Sequence, residues 1–319
     1  MSNFGWNSTT TDVLDGADLD GCHGVVTGAS AGLGAETVRA LAAHGASVTM
    51  AVRDPAKAQP VRERILQDHP AAQIDVAAVD LADLDTVAGF TDQVLADHPR
   101  IDVLINNAGI MACPHGTTRQ GLELQFGTNH VGHFALTTGL LPGLLASDSA
   151  RVISLSSSGH RLSDVDLDDW NFERGPYDAW SAYGRAKTAN ALFPVGLDRR
   201  FRDQDLRAFA VHPGSIQTEL GRHLTEDTLN ELIERSKAAG ATSRWKSVPQ
   251  GAATQVWAAT SRELDGKGAL YLEDCGIAEP TDDPNAMSGV RPWALDSDRA
   301  DALWSVSEQI LAGLGFAAS

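Results

Sequence analysis

The chain reads as one α/β domain, a doubly wound parallel sheet with helices on both faces. Three observations predict this. Short β-branched runs alternate with longer amphipathic stretches along most of the 319 residues, the pattern of repeated strand–helix crossovers. The run "IDVLINNAG" (101–109) is nearly continuously apolar at its start, as a strand buried on both faces must be. Residues unusual for a sheet also gather where the predicted strands end, the edge at which such sheets bind ligands.

In chain order, "GVVTG" (24–28) is the first strand and about Leu33–His44 its helix. "ASVTMAV" is the second strand, and "PAKAQPVRERILQDH" a helix that tolerates Pro55 in its first turn. "QIDVAAVD" is the third strand, followed by "LDTVAGFTDQVLADH", a helix with apolar spacing of three and four. After the fourth strand, a long helix over about Leu122–Leu145 leads to "ARVISLSS", the fifth. "SAYGRAKTANALFPVGLDRRF" is a second long helix, which Pro194 must kink unless it sits where a bond is spared. "LRAFAVHPG" and "GALYL" complete about seven strands. Residues 1–20 form an N-terminal arm and 21–319 the domain, with a variable segment at 219–248 before the final helix and a C-terminal extension from about 274.

The totals exclude several function classes. A formal net charge of −17 opposes a nucleic-acid partner, since phosphate backbones attract basic surfaces, and opposes an anionic membrane. Cys22, Cys113 and Cys275 are far apart and lack metal-ligand spacing, so they read as reduced thiols of an intracellular protein. The polar, acidic N-terminus is not a signal peptide, and no apolar run is long enough for a bilayer. The cytoplasm is the expected compartment.

The strand ends hold the chemistry. Gly28, Gly32 and Gly34, with Ser30 and Leu33 among them, lie between the first strand and its helix. Glycines there let backbone N–H groups approach a pyrophosphate, and the helix N-terminus adds partial positive charge; a simple tight turn is the alternative. Strand two ends in "AVRD". A carboxylate at Val52 would repel a ribose 2′-phosphate, and Arg53 can pair with one. This favours NADP(H), with NAD(H) as the second option, because the turn holds no other basic residue and Asp54 is acidic.

"TGASAGLG", "NNAG", "YGRAK" and "HPGSIQT" occur in that order. With them the chain resembles the short-chain dehydrogenase/reductase superfamily over about Gly21 to Leu272. "NHVGHF", "LSSSGHR", "YGRAKTANALF" and "PQGAATQVWAA" are most similar to its retinol-dehydrogenase-like and WW-domain-oxidoreductase-like branch. The resemblance implies a Rossmann-type fold and an NAD(P)-dependent oxidoreductase that interconverts a carbonyl and an alcohol. Tyr183 would be the acid/base, with Lys187 one helical turn along favouring its phenolate and holding the nicotinamide ribose. Ser157 would hydrogen-bond the reacting oxygen, with Ser158 as runner-up and Ser156 turned away, because side chains alternate along a strand.

The resemblance also assigns Asn129 to hold a water in a proton relay with Lys187. It places Asp80 and Leu81 at the adenine, against a turn or N-cap role for Asp80. Asn107, Ala108 and Gly109 would line the cleft. The loop of Pro213 and Gly214 would bring the backbone near Ile216 to the nicotinamide carboxamide, and Thr218 would bond the pyrophosphate.

His130 and His133 are three apart but lack a third ligand, so packing is expected rather than a metal. Substrate walls fall to Ile110–His115, Ser158–Trp180 and the 219–248 lid. Tyr177, Trp180 and Trp245 are either lining or core. A small apolar carbonyl or alcohol is the expected substrate. A non-catalytic NADP-binding sensor or scaffold, and a nucleotide-sugar epimerase or dehydratase, are the competing readings. A homodimer or homotetramer would pair through the two long helices, unless the C-terminal tail alters this.

Overall fold

The computed structural model describes residues 3–217, 220–221, 224, 245–284, 286 and 288–316. The central strand is β1 (His23–Thr27), buried at every position. β2 (Ser47–Val52) and β3 (Gln73–Ala78) lie to one side. β4 (Val103–Asn106), β5 (Arg151–Leu155), β6 (Arg207–His212) and β7 (Leu270–Glu273) lie to the other. These seven are parallel, in the order β3-β2-β1-β4-β5-β6-β7. The winding reverses between β1 and β4, so the crevice of a doubly wound sheet opens at their carboxyl ends.

An eighth strand, β8 (Gly276–Ile277), adds antiparallel to β7 and exceeds the predicted seven. Its hairpin turns through Asp274 and Cys275, both at positive φ (50° and 54°). The Asn-Gly or Asp-Gly pair that marks such turns in a sequence is absent, which is why it was not legible.

Helices α1 (Thr10–Val13), α2 (Gly32–Ala43), α3 (Pro55–Asp68) and α4 (Leu84–Asp97) come first. The long helix expected over 122–145 is instead α5 (Leu124–Phe126), a π-turn at Gly127–Val131, α6 (Gly132–Gly139) and α7 (Leu141–Leu144). α8 (Ala179–Phe201) runs on through Pro194, and α9 (Val248–Thr260) follows the lid segment. α9 is not the last helix, because α10 (Ser297–Gly313) lies within the extension.

Two apolar layers sandwich the sheet. Val38, Leu41, Ile65 and Trp257 of α2, α3 and α9 pack on one face; Phe90, Phe126, Phe134 and Leu192 pack on the other. The N-terminal arm belongs to the first layer. Leu14 is fully buried with Ala40 and Val256, and Thr10 hydrogen-bonds Glu36, which also pairs with Arg39 at 2.6 Å.

α10 seals the outer side of α8. The Trp304 ring stands 4.9 Å from Phe134 and 6.0 Å from Phe193, beneath the Arg200 guanidinium at 4.4 Å. A Cβ on Gly196 would lie 3.3 Å from Ala300 O, so the two helices are nearly in backbone contact. Pairing of two copies through this face of α8 would require α10 to leave.

Candidate active site

The glycine turn is built for close backbone approach. Gly28 has φ +67°, and a Cβ there would sit 2.9 Å from Ala108 Cα. A Cβ on Gly34 would collide with Gly28 O and lie 2.8 Å from Asn107 Nδ2. Gly32 also has positive φ (55°), and Ser30 is half-buried. The N-cap of α2 is Ala31, which offers no side-chain acceptor, so the first-turn N–H groups have no side-chain cap. Leu33 packs toward Gly251 of α9. A cradle too tight for any side chain, rimmed by uncapped N–H donors, fits a dinucleotide pyrophosphate.

Thr27 ties this turn to the neighbouring strand end. Its Oγ1 accepts the N–H groups of Asn107 and Ala108, both at 2.9 Å, and meets His133 Nε2 at 2.9 Å. His133 Nδ1 lies 2.9 Å from Asn129 O, which only accepts. Nδ1 therefore carries the proton and Nε2 accepts from the Thr27 hydroxyl. Burial holds His133 at a pKa of about 4, so the ring is neutral. His130 is buried too, with Nε2 at 2.7 Å from Ser307 of α10. Both histidines lie within the interior; among the described residues no three His, Cys, Asp or Glu side chains gather as a metal site would need.

At the end of β2, Val52 is buried and Arg53 is exposed, with no hydrogen bond or ion pair among the described residues. Asp80 accepts the Ala82 N–H at 3.0 Å, a turn role, while Asp83 caps α4. Leu81 is buried against Gly132. Gly214 has φ +94°, and a Cβ there would lie 2.9 Å from Lys246 Cδ. Ile216, three residues past Pro213, bridges to Lys246, whose Nζ pairs with Asp274 at 2.6 Å. Thr218 and most of the lid fall outside the described residues.

The predicted acid–base group assembles at the end of β5. Tyr183 is 3% exposed, and the nearby Ser157 hydroxyl favours its charged form. Its ring occupies the space a Cβ on Gly159 would need, with Tyr183 Cε1 only 2.5 Å away. Lys187 is buried, with Nζ donating to Leu155 O at 2.8 Å and lying 5.8 Å from the Tyr183 ring centroid. The phenol differs from expectation. Burial pushes it up to about 12, offset in part by Ser157, rather than the lysine drawing it down. Burial also lowers Lys187, to about 7.

Ser156 faces away, as alternation requires, and donates to Lys187 O at 2.8 Å. Ser158 is exposed, whereas Ser157 accepts the Gly159 N–H at 3.1 Å. Ser157→Ala is therefore expected to lower kcat about 10²-fold, the cost of losing one donor to a developing oxyanion, and Ser158→Ala less than about threefold. Steady-state rates of the two variants check this, and the reverse ranking would move the site by one residue.

Asn129 sits in the π-turn beside Lys187, both next to Gly109. Its amide is engaged at both ends by Ile110, as acceptor from N–H and donor to C=O, each at 2.9 Å. The side chain thus fixes the Ile110 backbone, while its Oδ1 and Lys187 Nζ both border Gly109.

Around this group, the expected substrate walls divide between apolar packing and polar ties. Ala112 holds φ +46°, a strained conformation for a residue with a Cβ, and packs with Trp180 and Tyr183. Leu224 of the lid segment packs on that same cluster. Tyr177 is polar-bound instead, accepting from Gln125 at 2.8 Å and donating to Cys113 O at 3.0 Å. Trp245 is 53% exposed.

The family model for short chain dehydrogenases matches residues 23–229. The chain belongs to the short-chain dehydrogenase/reductase superfamily of NAD(P)-binding oxidoreductases, in its retinol-dehydrogenase-like branch. A Streptomyces lividans protein named "Probable oxidoreductase" is 42% identical over 92% of this chain and 99% of its own length. Human retinol dehydrogenase 14 is 35% identical over 94% of this chain and 89% of its own length. A solved structure from Mycobacterium paratuberculosis, 34% identical, covers 98% of this chain and 99% of its own, with a TM-score of 0.73.

Proposed function

We propose that the protein interconverts a small apolar ketone or aldehyde and its alcohol, using NADP(H) in preference to NAD(H). One observation carries this reading: buried Tyr183 packs with Ala112 and Trp180 beside Ser157, with Lys187 one turn along the same helix. When bound, the dinucleotide supplies or accepts the hydride. The turn at Gly28, Gly32 and Gly34 would hold its pyrophosphate, and Gly109, Lys187, Gly214 and Ile216 its other half.

Tyr183, protonated at neutral pH, gives its proton to the substrate oxygen in reduction and takes one back in oxidation. Ser157 donates to the same oxygen and stabilises charge developing there. Lys187 stands ready to hold positive charge behind the phenol as it deprotonates. Ala112, Trp180 and Leu224 exclude water from this group. No described helix is long and apolar enough to cross a membrane, and Cys22, Cys113 and Cys275 are free thiols.

A panel of ketones, aldehydes and alcohols, read by the nicotinamide absorbance with both cofactors, tests this; no turnover in either direction would overturn it. The cofactor preference rests on Arg53, exposed and without an internal partner. A charged hydrogen bond is worth about 1.5–3 kcal/mol, so Arg53→Ala should weaken NADPH by about 10–100-fold and NADH by less than about threefold. Titration of both cofactors checks this, and equal losses would overturn the preference.

A further inference from the structure

The stretch "LSSSGHR" contains a residue that the proposed chemistry leaves unused. His160 is fully buried beside the site. Its Nδ1 lies 2.7 Å from Ser157 O, and the Tyr271 hydroxyl donates to that same carbonyl at 3.1 Å. On its other side, Nε2 accepts the Arg291 backbone N–H at 3.1 Å. A neutral imidazole has one donor and one acceptor. Nε2 is the acceptor, so Nδ1 holds the proton and donates to Ser157 O.

The ring thus joins the serine to a strap whose described residues are 279–284, 286 and 288–291. Arg161 Nη2 donates to Gly289 O at 2.6 Å, and Arg291 Nη1 donates to Thr281 O and Asp283 O at 3.0 and 2.8 Å. Thr281 N–H and Val290 O close the strap on itself at 2.9 Å. Besides the His160 backbone N–H at 3.1 Å, two side-chain donors from different elements, a histidine from the turn after β5 and a tyrosine from β7, converge on that carbonyl. They fix the 157–158 peptide, and with it the direction of the Ser157 hydroxyl.

We propose that His160 is a positioning residue for Ser157: as the Nδ1-protonated tautomer it clamps the serine carbonyl, with Tyr271, and anchors it to the C-terminal strap. This rests on the carbonyl–alcohol reading for its effect on rate, but not for its geometry. Misplacing a reacting group by about 1 Å can cost about 10²-fold, whereas the dinucleotide cradle lies elsewhere on the sheet edge. The loss should therefore fall on kcat and leave cofactor KM nearly unchanged.

The test has two arms on the full chain. In the first, 15N-histidine NMR of the wild-type protein should show His160 neutral and protonated at Nδ1 at pH 7; an Nε2-protonated or cationic ring would overturn the proposal. In the second, His160→Leu should lower kcat about 10–100-fold with cofactor KM within about threefold. His160→Asn, which keeps a donor near the Nδ1 position, should recover most of that loss.

Wild-type kcat in a folded His160→Leu protein, or no rescue by asparagine at equal Tm, would overturn it. Should the leucine variant not fold, Tyr271→Phe removes the second side-chain donor, whose hydroxyl also lies 3.1 Å from His160 Nδ1, and leaves the imidazole in place. Faster amide exchange at Ser158 and Gly159 with a several-fold drop in kcat supports the clamp; neither change overturns it. If the wild-type protein turns over no carbonyl or alcohol, the functional reading fails, while the tautomer and the exchange rates still decide the clamp.

Discussion

Tyr183→Phe is expected to lower kcat by about 10³-fold in both directions, while dinucleotide affinity stays within about threefold of wild type. General acid–base catalysis contributes roughly 10²–10⁴ in rate, and the substitution removes the phenolic proton that would pass to and from the substrate oxygen. The ring should stay where it is, because Gly159, Ala112 and Trp180 hold it by shape. The phenol pKa of about 12 keeps Tyr183 protonated through neutral pH, the state needed to donate in reduction. Single-turnover absorbance with preloaded cofactor isolates the chemical step. A variant that reduces a carbonyl at the wild-type rate would remove Tyr183 from the mechanism.

Gly34→Ala is expected to abolish measurable dinucleotide binding and to destabilise the fold by about 1–3 kcal/mol, the usual cost of overpacking. The added methyl would enter the Gly28 carbonyl, and backbone cannot rotate aside as the end of a side chain can. The turn must open, and the uncapped N–H groups of α2 then lose their common focus. Gly89→Ala is the control. It lies exposed in α4 with nothing within 4 Å of the added carbon, so it should be neutral or stabilising by up to about 1 kcal/mol. Thermal melts and cofactor titration of both variants check the pair; an unimpaired Gly34→Ala protein would show that the turn does not need its tightness.

The sequence announced most of the sheet because its central strands are buried on both faces, its edge strand β3 alternates, and helices of clear period lie between them. Tyr183, Lys187, Ser157 and the glycines could be picked out because their spacing is local. What it concealed depends on contacts between distant segments. The break in the long helix at Gly127–Val131 frees Asn129 O for His133, and no local preference marks a π-turn. α10 looked like a tail because its apolar residues meet α8 only in three dimensions. The rise in the Tyr183 pKa could not be read from a neighbouring lysine alone, because burial depth is a property of the fold and it outweighs the charge one turn away. The polar ties of Tyr177 are likewise long-range, since Gln125 and Cys113 reach it from another part of the chain.

The seal that α10 makes over α8 also constrains how the protein is born. On a translating ribosome, the tyrosine and lysine of α8 emerge long before residues 297–313 exist to cover Phe193 and Phe201. Until then that aromatic stripe is bare, and nascent chains crowded on one message could stick through it. Completion of the working enzyme is thus a late, long-range docking event, so slowing or deleting the terminal helix should harm yield before it harms chemistry.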